Sequence, residues 1–247
     1  MLKKRVIISL LFNKGVLYRT RNFVPNNIYT HNFIDTWSVD EVIMLDISRA
    51  NEDQEEIENF MSVVQKISKN CFVPLSVGGR ISSIEDAERY LKSGADKIVI
   101  NSYAFKNPGI ISDLARKYGS QCVVVSIDVK KTDGEYIVFI DDAQTNTGVR
   151  LEEWIQKAEA MGAGEIFINS IDKDGMLDGY DYDMIKRASG QINIPLIACG
   201  GAGTWQHFVD AFSCGADAAC TTNVFHFTEA SIKSAKQYLK NKSIKVR

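Results

Sequence analysis

Two stretches of this chain repeat one pattern about half the chain apart. L75-S-V-G-G-R-I-S-S-I-E-D-A-E-R-Y-L-K-S-G-A-D-K97 parallels L196-I-A-C-G-G-A-G-T-W-Q-H-F-V-D-A-F-S-C-G-A-D-A218, with Gly78 matching Gly200 at an offset of 122 and Gly94 matching Gly215 at 121. E41-V-I-M-L-D-I-S48 parallels E165-I-F-I-N-S-I-D172 at an offset of 124, and Ser9-Leu10-Leu11 parallels Ser126-Ile127-Asp128 at 117. In a chain of 247 residues such offsets divide the sequence into two related halves.

Each half alternates short apolar runs with amphipathic segments. The runs at 5–11, 41–47, 72–77, 96–101, 121–127, 165–169, 194–199 and 217–221 are near-continuously apolar, as strands covered on both faces are. Helices are expected at about 52–70, 83–92, 109–117, 151–161, 181–189, 204–213 and 229–239, while 31–38 is short for a covering helix. Ser82 to Glu85 resembles a capping box, and Pro108 suits a first helical turn. The pattern alone also admits an open doubly wound sheet, but such a sheet has no reason to repeat at its midpoint. The fold expected is α/β, one (β/α)8 TIM barrel spanning residues 1–247 with an internal two-fold half-barrel repeat.

Composition narrows the function classes. A formal net charge of -2 gives no field to attract nucleic acid. No apolar run is long enough to cross a membrane, and the start M1-L-K-K-R-V-I-I-S-L-L-F lacks a small-residue cleavage site, so it reads as the first strand. Cys71, Cys122, Cys199, Cys214 and Cys220 form no CxxC pair, which argues against a disulfide framework or structural zinc and for a reducing, cytoplasmic setting. His31, His207 and His226 join no Cys/Asp constellation and read as local structural residues, so neither metal nor cofactor is expected.

In a barrel, ligands sit at the C-terminal ends of the strands. Two glycine turns follow such ends, Gly78-Gly79-Arg80 and Gly200-Gly201-Ala202-Gly203, and each is echoed one strand later by Asn101-Ser102 and Thr222-Asn223. Small residues let backbone N–H groups approach an anion, so two phosphate sites facing one mouth are expected, against the alternative of structural tight turns. Together they imply an elongated ligand with a phosphate at each end. Arg80 could add a bidentate phosphate contact or merely fill space. Asp172, Asp174 and Gly175, just past the sixth barrel strand, could position a ligand or shape their loop. Asp46 ends the second strand, with a hydrogen-bonding role as plausible as a chemical one. Asp133-Gly134 reads as the turn of a small hairpin beside the fifth strand.

The chain as a whole resembles the cyclase subunit of imidazole glycerol phosphate synthase, HisF. The likeness runs from the first strand through Y118-G-S-Q121, N146-T-G148, G162-A-G-E-I166, S170-I-D-K-D-G175, G179-Y-D181 and G200-G-A-G203 to V224-F-H-F227. The resemblance implies a barrel that receives ammonia from a glutaminase subunit, HisH, docked at its N-terminal face. The ammonia passes along the barrel interior to a bisphosphate at the opposite mouth. It implies a gate of alternating charges at the strand starts, whose positions fall on Arg5, Glu41, Lys97 and Glu165. It also implies two aspartates, on strands one and five, as acid and base.

The second aspartate is Asp128; the first position holds Leu11, which cannot transfer a proton. General acid–base catalysis is worth ~10²–10⁴ in rate, so the loss of one partner is severe. A family lysine aligns with Arg19, and the third glycine of the first turn is Arg80; these departures cluster on one half of the mouth. The expectation is a divergent paralogue that docks a HisH-like glutaminase and channels ammonia to another acceptor, in bacterial surface-sugar (lipopolysaccharide, acetamidino) biosynthesis. An ATP-dependent sugar amidotransferase is a possible third partner, and a bisphosphate or phosphosugar the ligand. The alternative is the ordinary cyclase of histidine biosynthesis.

Overall fold

The structure is a computed structural model that describes residues 3–14, 16–29, 39–48, 54–222 and 232–247. The segment 31–38, short for a covering helix, together with His31, Asn223, His226 and the 224–227 run, lies outside the described residues.

Eight parallel strands close on themselves: β1 (Arg5–Asn13), β4 (Glu41–Asp46), β5 (Leu75–Gly78), β6 (Lys97–Ile100), β7 (Val123–Thr132), β10 (Glu165–Ser170), β11 (Leu196–Cys199) and β12 (Ala218–Thr221). Closure is made by β1 against β12, with Arg5 opposite Ala218, and by β10 against β7, with Glu165 opposite Val124. Helices α1 (Gln54–Ser68), α2 (Ile84–Lys92), α3 (Ser102–Lys106), α4 (Gly109–Tyr118), α5 (Leu151–Ala160), α6 (Tyr182–Ser189), α7 (Trp205–Ser213) and α8 (Ile232–Asn241) lie between and after the strands. The architecture is therefore the (β/α)8 barrel expected from the repeat.

Alternation along each strand separates two cores. Side chains pointing outward, such as Val6, Leu10, Val42, Val125 and Ile168, pack with helix residues including Phe60, Leu114 and Phe208. Those pointing inward make a smaller cluster of Ile7, Ile43, Val99, Val124, Phe167, Ile197, Ala218 and Cys220. A barrel strand needs apolar groups on both faces, which explains why the runs are apolar without a period of two.

Two details differ from the sequence expectations. Residues 16–29, where no strand or helix is expected above, form the hairpin β2 (Val16–Arg21) and β3 (Val24–Tyr29), turning at Asn22 and Phe23 with φ of 51° and 63°. It extends β1 as β8 (Glu135–Ile140) and β9 (Thr145–Arg150) extend β7, so the two-fold repeat includes the hairpins. The cap of α2 is shifted by one residue. Ser83 accepts from the Asp86 amide, while the Asp86 carboxylate takes the Ser82 amide and hydroxyl. Among the described residues, no helix is long and apolar enough to cross a membrane.

Candidate active site in the barrel mouth

At the N-terminal floor, four charges close a ring. Arg5 Nη1 donates to Glu41 Oε2 at 2.8 Å, and its guanidinium meets both Glu165 oxygens at 3.1 Å. Lys97 Nζ lies 2.9 Å from both Glu41 oxygens and 2.9 Å from Glu165 Oε1. Ser76 Oγ adds a hydrogen bond to Glu41 Oε1 at 2.8 Å. Burial works against the Arg5 charge, but Glu165 and Glu41 outweigh it and raise its pKa. Two cations and two anions satisfy one another, which is the condition for keeping charges out of water. The ring forms because Arg5, Glu41, Lys97 and Glu165 are each the first residue of a strand.

Above the floor lies the apolar interior layer, and above that a cavity of about 630 Å³ opens at the C-terminal mouth. Its lining reaches down to Val99 and Phe167, which stand only two residues beyond Lys97 and Glu165 on their strands. Mouth and charged floor are thus separated by a single layer of side chains.

Asp128 and Leu11 occupy equivalent places. Each lies on a barrel strand where the following hairpin begins to pair, Leu11 opposite Tyr18 and Asp128 opposite Phe139. Both line the cavity. Asp128 is buried and accepts a 2.8 Å hydrogen bond from Asn101 Nδ2. Burial pushes its pKa up to about 7; the Asn101 bond opposes this, and Asp142 and Asp174 add to it. A carboxyl poised near neutrality in a cleft is what acid–base work requires. Leu11 instead faces Leu45 of β4 and contributes only an apolar wall. Asn169 pairs in register with Asp128, and its Oδ1 is buried with no hydrogen-bond partner among the described residues. Asn169 was not singled out from the sequence, although the spacing Glu165, Phe167, Asn169 places it on the inward face of β10.

Around the first turn, several side chains are engaged, while Arg80 Nε and Nη1 are buried with no hydrogen-bond partner among the described residues. Gly79 has a φ of +107°, and a Cβ there would fall 2.4 Å from the Asp46 carbonyl oxygen, so packing against β4 by itself demands glycine. Arg80 is held by Asp46 at 3.0 Å and by Glu56 at 2.7 Å, with Lys14 3.4 Å from Glu56. Asp46 also accepts from the Ser48 amide and hydroxyl. Asn101 serves Asp128, and Ser102 Oγ accepts from the Asp141 amide at 2.9 Å. Glu56 and Asp86 were missed in sequence because both are separated from Arg80 and Ser82 by a turn or a helix.

The second turn backs onto the loop after β10. A Cβ on Gly201 would fall 2.1 Å from the Gly179 carbonyl oxygen, and Gly201 O accepts from the Gly179 amide at 2.8 Å. The Gly203 amide donates to His207 Nδ1 at 3.1 Å, and Gly200 lies against the Ser170 backbone. Thr222 Oγ1 is 2.6 Å from Ser9 Oγ on the cavity wall. In the same loop, Asp174 anchors the β2–β3 hairpin: its carboxylate takes the Phe23 amide at 3.0 Å, and its carbonyl takes the Asn22 amide at 3.1 Å. Burial raises the Asp174 pKa against the hydrogen bonds from Phe23 and Thr20. Gly175 fits where a side chain would meet the Thr20 carbonyl. Asp172 accepts from the Lys131 amide at 2.9 Å and so braces the other hairpin.

A closed barrel with a buried charge ring at one end and a carboxyl poised near pH 7 at the other defines a (β/α)8 protein with its candidate chemistry at the strand C-termini. The family described as histidine biosynthesis protein matches residues 10–231. Three curated relatives carry the name imidazole glycerol phosphate synthase subunit HisF. Those from Natranaerobius thermophilus and Flavobacterium johnsoniae are each 42% identical, with 100% of both chains covered. That from Thermotoga sp. strain RQ2 is 39% identical over 100% of this chain and 98% of its own. The chain belongs to the HisF family.

Proposed function

We propose that this barrel is the ammonia-conducting subunit of a glutamine amidotransferase. In this reading it docks a HisH-like glutaminase against its N-terminal face and delivers ammonia through the barrel to an acceptor other than the histidine-pathway bisphosphate. A phosphosugar of bacterial surface-sugar biosynthesis is the acceptor that fits, with an ATP-dependent sugar amidotransferase as a third component. The carrying observation is the contrast between the ends: a complete four-charge ring beneath the cavity, and Leu11 in the place that mirrors Asp128. Ammonia is small and neutral, so a self-satisfied ring that needs only a brief opening suits it. The buried Asn169 Oδ1 gives an arriving N–H an acceptor beside Asp128. A mouth with one acid keeps a proton-transfer group near neutrality but lacks the pair that cyclisation uses in the family. Gly200, Gly201 and Gly203, with Thr222 and Asn223, are the segment proposed for an anionic end of the acceptor.

The second reading, the ordinary cyclase, is favoured by full-length identity of 42% to relatives named as synthase subunits. One experiment separates the two. Ammonia-dependent turnover of the histidine-pathway bisphosphate is measured for the wild type and for Leu11→Asp. The expectation is a silent wild type. Wild-type turnover at rates typical of enzymes, ~1–10³ s⁻¹, refutes the proposal.

A further inference from the structure

Two thiols meet where the apolar interior of the barrel opens into the mouth. Cys199 ends β11, is half-buried and lines the cavity. Cys220 lies on β12 with no exposure, in the inner cluster with Ile7 and Phe167. The parallel register sets Ile197 opposite Ala218 and Ala198 opposite Ala219, so the next pair along the two strands is Cys199 and Cys220. Both side chains face the barrel interior, Cys220 within the inner cluster and Cys199 packed against it. Their thiols are hydrogen-bonded to each other, and Ser9 adds a second bond to Cys220. Burial, helped by the Cys199 bond, pushes the Cys220 pKa well above the usual thiol value, so this thiol stays protonated.

The pair spans the layer between mouth and floor. Cys199 stands opposite Asn169, which stands opposite Asp128. Cys220 stands opposite Ile7, nearer the floor. Neighbouring strands run ~4.8 Å apart, inside the ~4.4–6.8 Å between Cα atoms that a disulfide spans. The other three cysteines are held elsewhere. Cys71 gives its thiol to the Val73 carbonyl at 3.3 Å, and Cys122 to the Asp96 carbonyl at 3.1 Å. Cys214 caps α7 and packs against the outer core.

We propose that Cys199 and Cys220 form a redox-modified site: a hydroperoxide entering the mouth oxidises Cys199, and Cys220 resolves it into a disulfide between β11 and β12. In the first step the Cys199 sulfur attacks one peroxide oxygen and the O–O bond breaks. The departing oxygen takes up the thiol proton, and Cys199 becomes a sulfenic acid. In the second step the Cys220 sulfur bonds to the Cys199 sulfur, the S–O bond breaks, and the Cys220 proton leaves with the hydroxyl as water. Two thiols lose two electrons and one peroxide gains them. The bridge is transient, made by oxidant and undone by thiols, as disulfides in reducing compartments are. It ties the layer of Asp128 and Asn169 to the apolar layer beneath, so the wall of the passage has two redox states.

The test is peptide mapping of the intact, folded chain after hydrogen peroxide in molar excess at pH 7.5. Catalase stops the reaction, and the remaining thiols are alkylated in denaturant. Chymotrypsin and an Asp-specific protease then cut between Cys199, Cys214 and Cys220, at Trp205 and Asp217. The expected product is a linked Cys199–Cys220 peptide pair, lighter by two hydrogens than its parts and lost on adding dithiothreitol. Cys220→Ala is expected to stop at the sulfenic acid, so that dimedone labels Cys199 about tenfold more than in the wild type. Cys199→Ser is expected to give neither bridge nor label at this position. Thermal melts check that both variants are folded, and the wild-type map stands without them. Cys199 and Cys220 both recovered as alkylated thiols from the oxidised wild type would overturn the site, as would a bridge from either one to Cys214. Equal dimedone labelling of Cys199 in the wild type and in folded Cys220→Ala would overturn the resolving role of Cys220.

Discussion

Replacing Asp128 by Asn isolates the charge that burial makes costly. Asn101 Nδ2 donates to Asp128 Oδ2 at 2.8 Å, and an amide oxygen can accept the same bond, so shape and hydrogen bonding survive the exchange. In the folded chain the Asp128 pKa stands at about 7, chiefly because the carboxylate is desolvated. Unfolded, an aspartate titrates near pKa ~3.9. Between those values the folded chain holds a proton that the unfolded chain has released. The stability tied to this group is therefore fully present below about pH 4 and is lost as pH rises through about 7. From pH 5 to 8.5 the loss integrates to about 3 kcal/mol, worth roughly 6–12 °C in Tm for a barrel of this size. Urea denaturation across that range is expected to show wild-type stability falling relative to Asp128→Asn by about 3 kcal/mol, with the variant the more stable at pH 8.5. Parallel pH profiles would falsify the reasoning, because they would place an ionised, solvated Asp128 in the mouth throughout.

Two further outcomes follow from the floor and from the hairpin. Lys97→Met leaves Glu41 and Glu165 sharing Arg5 alone; the expected loss in urea denaturation is about 3–5 kcal/mol, as for other broken buried pairs. Lys4→Met, which breaks the more exposed pair with Asp217, is expected to cost less than about 1 kcal/mol, and equal losses would contradict the closed-ring account. Asp174→Ala removes the acceptor of the Phe23 amide, so limited proteolysis within residues 16–29 is expected to accelerate about tenfold, from the ~1–3 kcal/mol attached to a lost buried bond. Unchanged cleavage would show that the hairpin is held by other contacts.

The barrel was legible because its two signals are redundant. Each strand is apolar on both faces, and the offset of about 122 residues repeats the same βα order in both halves. The floor could be placed from the resemblance because its four residues each begin a strand. The mouth was harder to read for a physical reason: its contacts join residues far apart in sequence. Glu56 reaches Arg80 across a strand and a helix, and Asn101 reaches Asp128 from the neighbouring strand. Glycine turns also carry two meanings at once. Gly79 and Gly201 meet the requirement for an anion cradle, yet each is already fixed by a backbone oxygen closer than 2.5 Å to where a Cβ would stand. The hairpin β2–β3 escaped notice because its turn is Asn22-Phe23, without the Asn-Gly or Asp-Gly pair that marks Asp133-Gly134.

The two ends of the barrel answer to different constraints, so a substitution is tolerated more readily at position 11 than in the floor. The floor is a closed electrostatic unit: altering one of Arg5, Glu41, Lys97 or Glu165 strands a buried charge, so its members can only be exchanged together. The mouth has no such coupling at position 11. A leucine there lies opposite Leu45 on the cavity wall and strands no buried charge. Arg80 likewise came with its neutralising carboxylates, Asp46 and Glu56, already on neighbouring elements. In the reading proposed above, the barrel keeps its charged floor while the group received at the mouth is exchanged.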